Sequence, residues 1–116
     1  MRTLTIVFCS IISLLQCAVA GNIWCTGTVS NVYIAADNSV VIKGSWRNDY
    51  TRICSTDGST GIDTVTCSLW FSIISTAMTN DKQVKLMYSD RDGQFQCNNL
   101  PTYYSTHNPS YVMLER

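Results

Sequence analysis

Residues 45–52 bring aromatic, cationic and amide side chains together within one short stretch. An aromatic ring can cover the apolar side of a sugar ring, short polar groups can hydrogen-bond its hydroxyls, and a cation can bind the carboxylate of an acidic sugar. The stretch is therefore a candidate glycan-binding site, formed by Trp46, Arg47, Asn48, Asp49, Tyr50 and Arg52. The structural alternative places Trp46 in the core and makes Asn48 and Asp49 a turn.

The adjacent Tyr103 and Tyr104 form a second candidate site. They lie in the long segment that we expect to join the last two strands. In small β-barrels with this order of elements, that loop commonly contacts ligands. The alternative is that both tyrosines pack against the domain or take part in an interface.

Catalytic residues are hard to find in this chain. The single histidine, His107, has no nucleophile or carboxylate at a recognised spacing, and a solvated surface position explains it better. The acidic side chains stand singly, mostly at turns, and no pair of them suggests hydrolysis of a glycosidic bond. No phosphate-binding glycine loop and no C-x-x-C pair occur. We therefore predict that the protein is not an enzyme and uses no metal or cofactor.

Residues 1–20 have the pattern of a signal peptide, with Arg2 near the start, an apolar stretch, and small residues before a cleavage point between Ala20 and Gly21. Residues 21–116 would form one domain, secreted or periplasmic. The formal net charge is zero. That balance argues against nucleic acid as a partner, since phosphate neutralisation needs a basic face, and also against a polybasic membrane anchor.

Four cysteines remain after the signal peptide, which allows two disulfides in three connectivities. Cys54 is expected to end the third strand and Cys67 to open a helix, so a bridge between them would close the polar loop of residues 55–66. By exclusion, Cys25 would pair with Cys97. Small exported domains often need such bridges because their cores are thin.

The pattern of apolar residues predicts five strands and one helix. The strands cover residues 24–36, with a bulge near Ser30–Asn31, then 40–47, 50–54, 82–90 and 110–115. Val84, Leu86 and Tyr88 would face the interior in the fourth strand, and Val112 and Leu114 in the fifth. The helix would cover residues 68–79, with Ser68 as N-cap and Asn80–Asp81 as its end. Its predicted apolar face contains Leu69, Trp70, Phe71, Ile73, Ile74, Ala77 and Met78.

A helix between the third and fourth of five strands is the arrangement of the OB-fold, a partly open Greek-key barrel. We therefore expect a mainly β domain with a five-stranded, OB-fold-like barrel, bridged by disulfides. A five-stranded α+β sandwich is the alternative.

Residues 53–88 resemble the B subunits of subtilase cytotoxin, typhoid toxin and the pertussis-like toxins. The resemblance lies in a strand that ends in cysteine, a polar loop, a second cysteine, an aromatic-led helix and the strand "KQVKLMYSD". It implies an exported bacterial OB-fold that forms a ring of five and binds cell-surface glycans, often sialylated. It also implies that the helices line the pore of the ring, where a separate catalytic subunit docks. No sugar-contacting residue can be transferred from that family by position.

The predicted helix contains no charged residue, and its polar face is only serine and threonine. Such a face suits packing against the helices of sister subunits around an axis. The simpler explanation is that the whole chain is rich in serine and threonine and poor in charge. A stand-alone periplasmic or secreted module that binds or inhibits another protein is the alternative function.

Overall fold

The computed structural model describes residues 21–90, 96–101 and 107–116. These residues form six strands and one helix. In chain order the elements are β1 (Gly21–Gly27), β2 (Val29–Ile34), β3 (Ser39–Gly44), β4 (Asp49–Ser55), α1 (Thr64–Thr79), β5 (Gln83–Asp90) and β6 (Tyr111–Glu115). The predicted signal peptide and the candidates Tyr103 and Tyr104 lie outside the described residues.

The strands make two antiparallel sheets of three strands each. The first sheet has the order β1–β5–β6 and the second has the order β2–β3–β4. Among the described strands, β4 and β6 do not pair with each other, so the two sheets do not close into a barrel. The prediction of a mainly β domain with one helix is confirmed at this level.

The predicted first strand is divided into β1 and β2 at Thr28, which gives six strands instead of five. Ser45 holds the break, because its Oγ accepts the Thr28 N–H at 3.0 Å and its own N–H donates to the Thr28 carbonyl at 2.8 Å. The β2–β3 register shifts between Val29 and Asn31, which confirms the predicted irregularity. The break and the shift let one continuous segment contribute to both sheets.

The core lies between the two sheets and the helix. Each sheet turns one face toward the core, as strand alternation requires, and α1 adds Trp70, Ile74 and Ala77. Val84, Leu86 and Tyr88 are buried as predicted, and so is Val112. Leu114 is not, because it is 45 % exposed near the end of β6, an edge strand of the first sheet.

The helix begins four residues earlier than predicted. The Asp63 carboxylate accepts the Val65 N–H at 3.1 Å and is the N-cap, so the proposed cap at Ser68 is wrong. Ser68 lies inside the helix and donates its hydroxyl to the Thr64 carbonyl at 3.0 Å. The helix ends at Asn80 as predicted.

Both predicted disulfides are confirmed. Cys54 is bridged to Cys67 across the β4–α1 connection, and Cys25 is bridged to Cys97, with Cα–Cα distances of 5.7 and 5.5 Å. These bridges are compatible with an extracellular or periplasmic location. Within the described residues, no helix has the length and apolar character needed to span a bilayer.

Candidate functional site

The β3–β4 turn interrupts the predicted cluster of residues 45–52. Strand β3 stops at Gly44, and the Gly44 carbonyl accepts the Asn48 N–H at 2.7 Å. Asn48 has a φ of 60°, a left-handed conformation that asparagine tolerates better than most residues. Asn48 therefore has a clear role in the geometry of the turn, whether or not it also contacts a ligand.

Trp46 turns back toward the interior. Its ring lies against Gly44, where an added Cβ would overlap the indole, and it packs against the core cluster. Trp46 is half-buried, so the core and Gly44 cover part of its ring. Its position agrees with the structural alternative stated for this residue.

Arg47 and Asp49 pair with each other across the turn. The Arg47 Nη2 lies 3.6 Å from the Asp49 carboxylate, whose other oxygen accepts the Tyr50 N–H at 2.8 Å. These contacts keep both charges at the β3–β4 corner, where they stabilise the start of β4.

Tyr50 and Arg52 lie on the outer face of the second sheet, together with two residues that the sequence interpretation missed. Tyr33 on β2 approaches Tyr50 with its ring centroid 5.9 Å away and a tilt of 57°. Lys43 on β3 is the cross-strand partner of Tyr50, and its Nζ lies 5.7 Å from the centre of that ring. We call Tyr33, Lys43, Tyr50 and Arg52 the Tyr33–Tyr50 face.

Val41 shows how tightly this face is packed. It points away from the main core, because its neighbours Val40 and Ile42 point inward, yet it is 0 % exposed. In the register it lies between Tyr33 on β2 and Arg52 on β4. The side chains around Val41 therefore pack closely over it and are held in place by one another.

The Tyr33–Tyr50 face combines aromatic rings with cations. Lysine over a tyrosine ring is a favourable cation–π arrangement, and a lysine or arginine can also bind a carboxylate. The hydroxyls of Tyr33 and Tyr50 add groups that can form hydrogen bonds. This arrangement can bind an anionic ligand that also has an apolar side. Binding of this kind involves no chemical reaction.

Tyr33 and Lys43 come from different strands, which explains why they were missed. They are separated from Tyr50 in sequence and meet it only through the β2–β3 and β3–β4 registers. The alternation of residues 40–47 puts Lys43 on the face opposite Val40 and Ile42, and this is a signal that the sequence offers.

The outer face of α1 is the second notable surface. The helix contains no charged residue, and Val65 and Leu69, one turn apart, are exposed, with Leu69 at 59 %. Leu69 was predicted to face the core and does not, because the buried stripe follows Cys67, Trp70, Ile74 and Ala77. The hydroxyls of Ser68 and Thr79 donate to carbonyls of their own helix, at 3.0 and 2.9 Å.

Of the remaining candidates, Tyr103 and Tyr104 lie outside the described residues. His107 is exposed. Across residues 21–90, 96–101 and 107–116, no group of three or more histidine, cysteine or acidic side chains is placed to hold a metal ion.

Comparisons with protein-family models, with curated proteins and with solved structures found no match to this chain. The resemblance to toxin B subunits therefore stays a prediction from the residues quoted above.

Proposed function

We propose that the protein is an exported glycan-binding subunit that assembles with copies of itself through α1. The observation that carries the proposal is the Tyr33–Tyr50 face, where two aromatic rings meet Lys43 and Arg52 lies on the same face in the β3–β4 register. A sialylated glycan would place its carboxylate near Lys43 and Arg52 and an apolar side of the sugar against the tyrosines.

An OB-fold-like barrel is part of the proposal. If β1 and β2 are counted as one interrupted strand, the order becomes three strands, one helix and two strands. That strand is shared by the two sheets, and α1 contributes to the core between them. Both features support the barrel, and closure would require only a β4–β6 contact.

The helix supports assembly into a ring. An exposed helix normally shows charged residues to solvent, whereas α1 shows serine, threonine, Val65 and Leu69. Because the hydroxyls of Ser68 and Thr79 already bond within the helix, a neighbouring helix could approach them without leaving donors unsatisfied. A ring of five with a separate catalytic subunit at its centre is the assembly that the toxin resemblance implies.

Glycan binding is tested with sialyllactose and lactose, titrated calorimetrically into oxidised residues 21–116. We expect sialyllactose to bind more tightly than lactose. We expect Lys43→Ala and Tyr50→Ala each to weaken binding of sialyllactose by about tenfold or more, since each removes a charge or a ring from the face. Lys82→Ala removes an equal charge from the α1–β5 connection and should change nothing. Failure of the wild-type protein to bind either sugar would contradict the glycan proposal.

Assembly is tested by native mass spectrometry at micromolar concentration. We expect a homo-oligomer that Leu69→Asp dissociates, because the variant places a charge in an apolar contact. Asn22→Asp adds the same charge at the start of β1 and should leave the oligomer intact. A wild-type protein that is only monomeric would exclude the ring while leaving the glycan proposal to its own test.

A further inference from the structure

The outer face of the first sheet carries a row of large side chains across all three strands. Trp24 on β1 pairs with Met87 on β5, which pairs with Tyr111 on β6. The Trp24 Nε1–H donates to the Tyr111 hydroxyl at 2.7 Å, so the two outer residues are joined across the central methionine. We call these three residues the Trp24–Tyr111 row.

Trp24 is 53 % exposed and yet held in place. Its indole N–H is occupied by Tyr111, and its carbonyl oxygen lies 3.3 Å from the Cys97 sulfur. The next residue, Cys25, is bridged to Cys97, which fixes the main chain at this point. An exposed tryptophan with few accessible rotamers loses little conformational entropy when a ligand covers it.

The surroundings of the row carry balanced charge and several polar groups, and Met113 on β6, 42 % exposed, extends its apolar part. On one side, Lys85 pairs with Glu115 at 3.1 Å, so their charges offset each other. On the other side, the hydroxyls of Ser89 and Ser110 lie 3.2 Å apart. Exposed Asn22 and Thr26 flank Trp24 on the same face of β1. A flat apolar surface with short hydrogen-bonding side chains around it favours a neutral ligand that has an apolar side and carries hydroxyl groups.

The size of the row favours a small ligand over a protein. Two strand spacings separate Trp24 from Tyr111, about 10 Å in total. A stable protein interface buries about 800 Å² on each partner, far more than the three side chains of the row and Met113 can supply. One or two sugar rings match this length.

We infer that the Trp24–Tyr111 row is a second carbohydrate site, specific for a neutral pyranose that stacks on the indole of Trp24. The sugar hydroxyls would then reach Asn22, Thr26 and Ser89 at the rim. This inference deepens the proposed glycan function, on which it rests for its ligand class, and it uses no residue of the Tyr33–Tyr50 face. A branched glycan could bind both sheets only through different sugar residues, one acidic and one neutral.

The test follows the indole N–H resonances of the three tryptophans by NMR. The probes are the methyl glycosides of galactose, glucose, mannose and N-acetylglucosamine, with free sialic acid as the acidic comparison. We expect at least one neutral glycoside to shift the Trp24 resonance while those of Trp46 and Trp70 stay in place. Trp24→Ala should reduce the affinity at least about tenfold, and Tyr111→Phe, which removes the acceptor that holds the indole, by about threefold to tenfold.

Two controls separate this inference from the proposed function. Tyr50→Ala should weaken binding of sialyllactose by about tenfold or more and leave the response of Trp24 to the neutral glycoside unchanged. If the neutral glycosides leave Trp24 unaffected while sialyllactose binds at the Tyr33–Tyr50 face, the second site is excluded and the proposed function stands. A Trp24 resonance that moves with protein concentration in the absence of sugar, and not with any glycoside, would show that a second copy of the chain covers the row and would overturn the inference.

Discussion

Tyr88 points into the core from the middle strand of the first sheet and is almost completely buried. Its hydroxyl has no hydrogen-bond partner within the described part of the chain. Burial raises the pKa of this phenol well above its ordinary value, because the phenolate would lose its solvation. The ring therefore contributes apolar contact while its hydroxyl contributes little to stability.

We expect Tyr88→Phe to leave the free energy of unfolding unchanged or to raise it by up to about 1 kcal/mol, since it removes a buried polar group. The wild-type pKa is higher in the folded state than in the unfolded state. Ionisation of Tyr88 therefore takes nothing from wild-type stability below about pH 10 and lowers it as the pH rises further, whereas Tyr88→Phe should lose less stability in that range. Urea denaturation between neutral and alkaline pH measures both effects. A large loss of stability at neutral pH would show that the hydroxyl has a partner.

Asp57 organises the loop after β4. Its carboxylate accepts the Ser55 hydroxyl at 2.6 Å, the Ser59 N–H at 2.9 Å and the Asn38 amide at 3.4 Å. The bond from Ser55, followed by those from Ser59 and Asn38, holds the pKa of Asp57 well below its ordinary range. The loop is thereby tied to the β2–β3 turn.

We expect Asp57→Asn to destabilise the protein at neutral pH, because an amide cannot accept all of these bonds. The folded-state pKa is lower than the unfolded value, so the stabilisation by the carboxylate is present above about pH 4 and is lost as the pH falls below it. The difference between wild type and variant should therefore shrink in acid. Asp81→Asn removes the same charge from the α1–β5 turn and is the matched control. A difference that stays constant down to low pH would contradict this assignment.

At the scale of elements, the close contact between Trp46 in the β3–β4 turn and Gly44 at the end of β3 restricts which residue position 44 can hold. Trp46 can lie against β3 because Gly44 has no side chain. A Cβ at this position would overlap the indole, so either the ring or the strand would have to move.

We expect Gly44→Ala to lower the free energy of unfolding by about 1–3 kcal/mol and to expose Trp46, which tryptophan fluorescence would report. Gly21→Ala is the control, because nothing lies within 4 Å of an added Cβ there. That variant should change stability by less than about 0.5 kcal/mol. Equal effects of the two substitutions would show that the contact with Trp46 is unimportant.

At the scale of the whole molecule, the two disulfides hold different parts together. The Cys54–Cys67 bridge closes a separation of 13 residues, from β4 to the first turn of α1. The Cys25–Cys97 bridge closes 72 residues and joins β1 to the segment that places Leu100 in the core. It is the connection that holds this irregular segment against the sheets.

Replacement of both cysteines of one bridge by alanine measures how much stability that bridge contributes. In the chain-entropy model, loss of Cys54–Cys67 costs about 3 kcal/mol and loss of Cys25–Cys97 about 4 kcal/mol. Guanidinium denaturation of the two double variants under oxidising conditions gives the comparison. A negligible loss for the Cys25–Cys97 variant would show that residues 96–101 are held without the bridge.

Much of the fold could be predicted from local patterns in the sequence. Alternation along β5 predicted that Val84, Leu86 and Tyr88 face inward, and the placement of Cys54 at a strand end and Cys67 at a helix start predicted their bridge. These inferences succeeded because the period of a strand and the position of a cysteine at its end are properties of a few neighbouring residues.

Other features depend on distant parts of the chain. Leu69 and Leu114 are apolar but exposed. The packing of whole elements decides which side of α1 meets the sheets, and it leaves β6 at an open edge of the first sheet. The Tyr33–Tyr50 face and the Trp24–Tyr111 row each require two strand registers at once. The sequence alone determined the approximate positions of the strands and the helix and the set of four cysteines available for bridges. Only the tertiary structure decided which side chains meet across strands, because register and sheet edges arise from contacts between residues far apart in the chain.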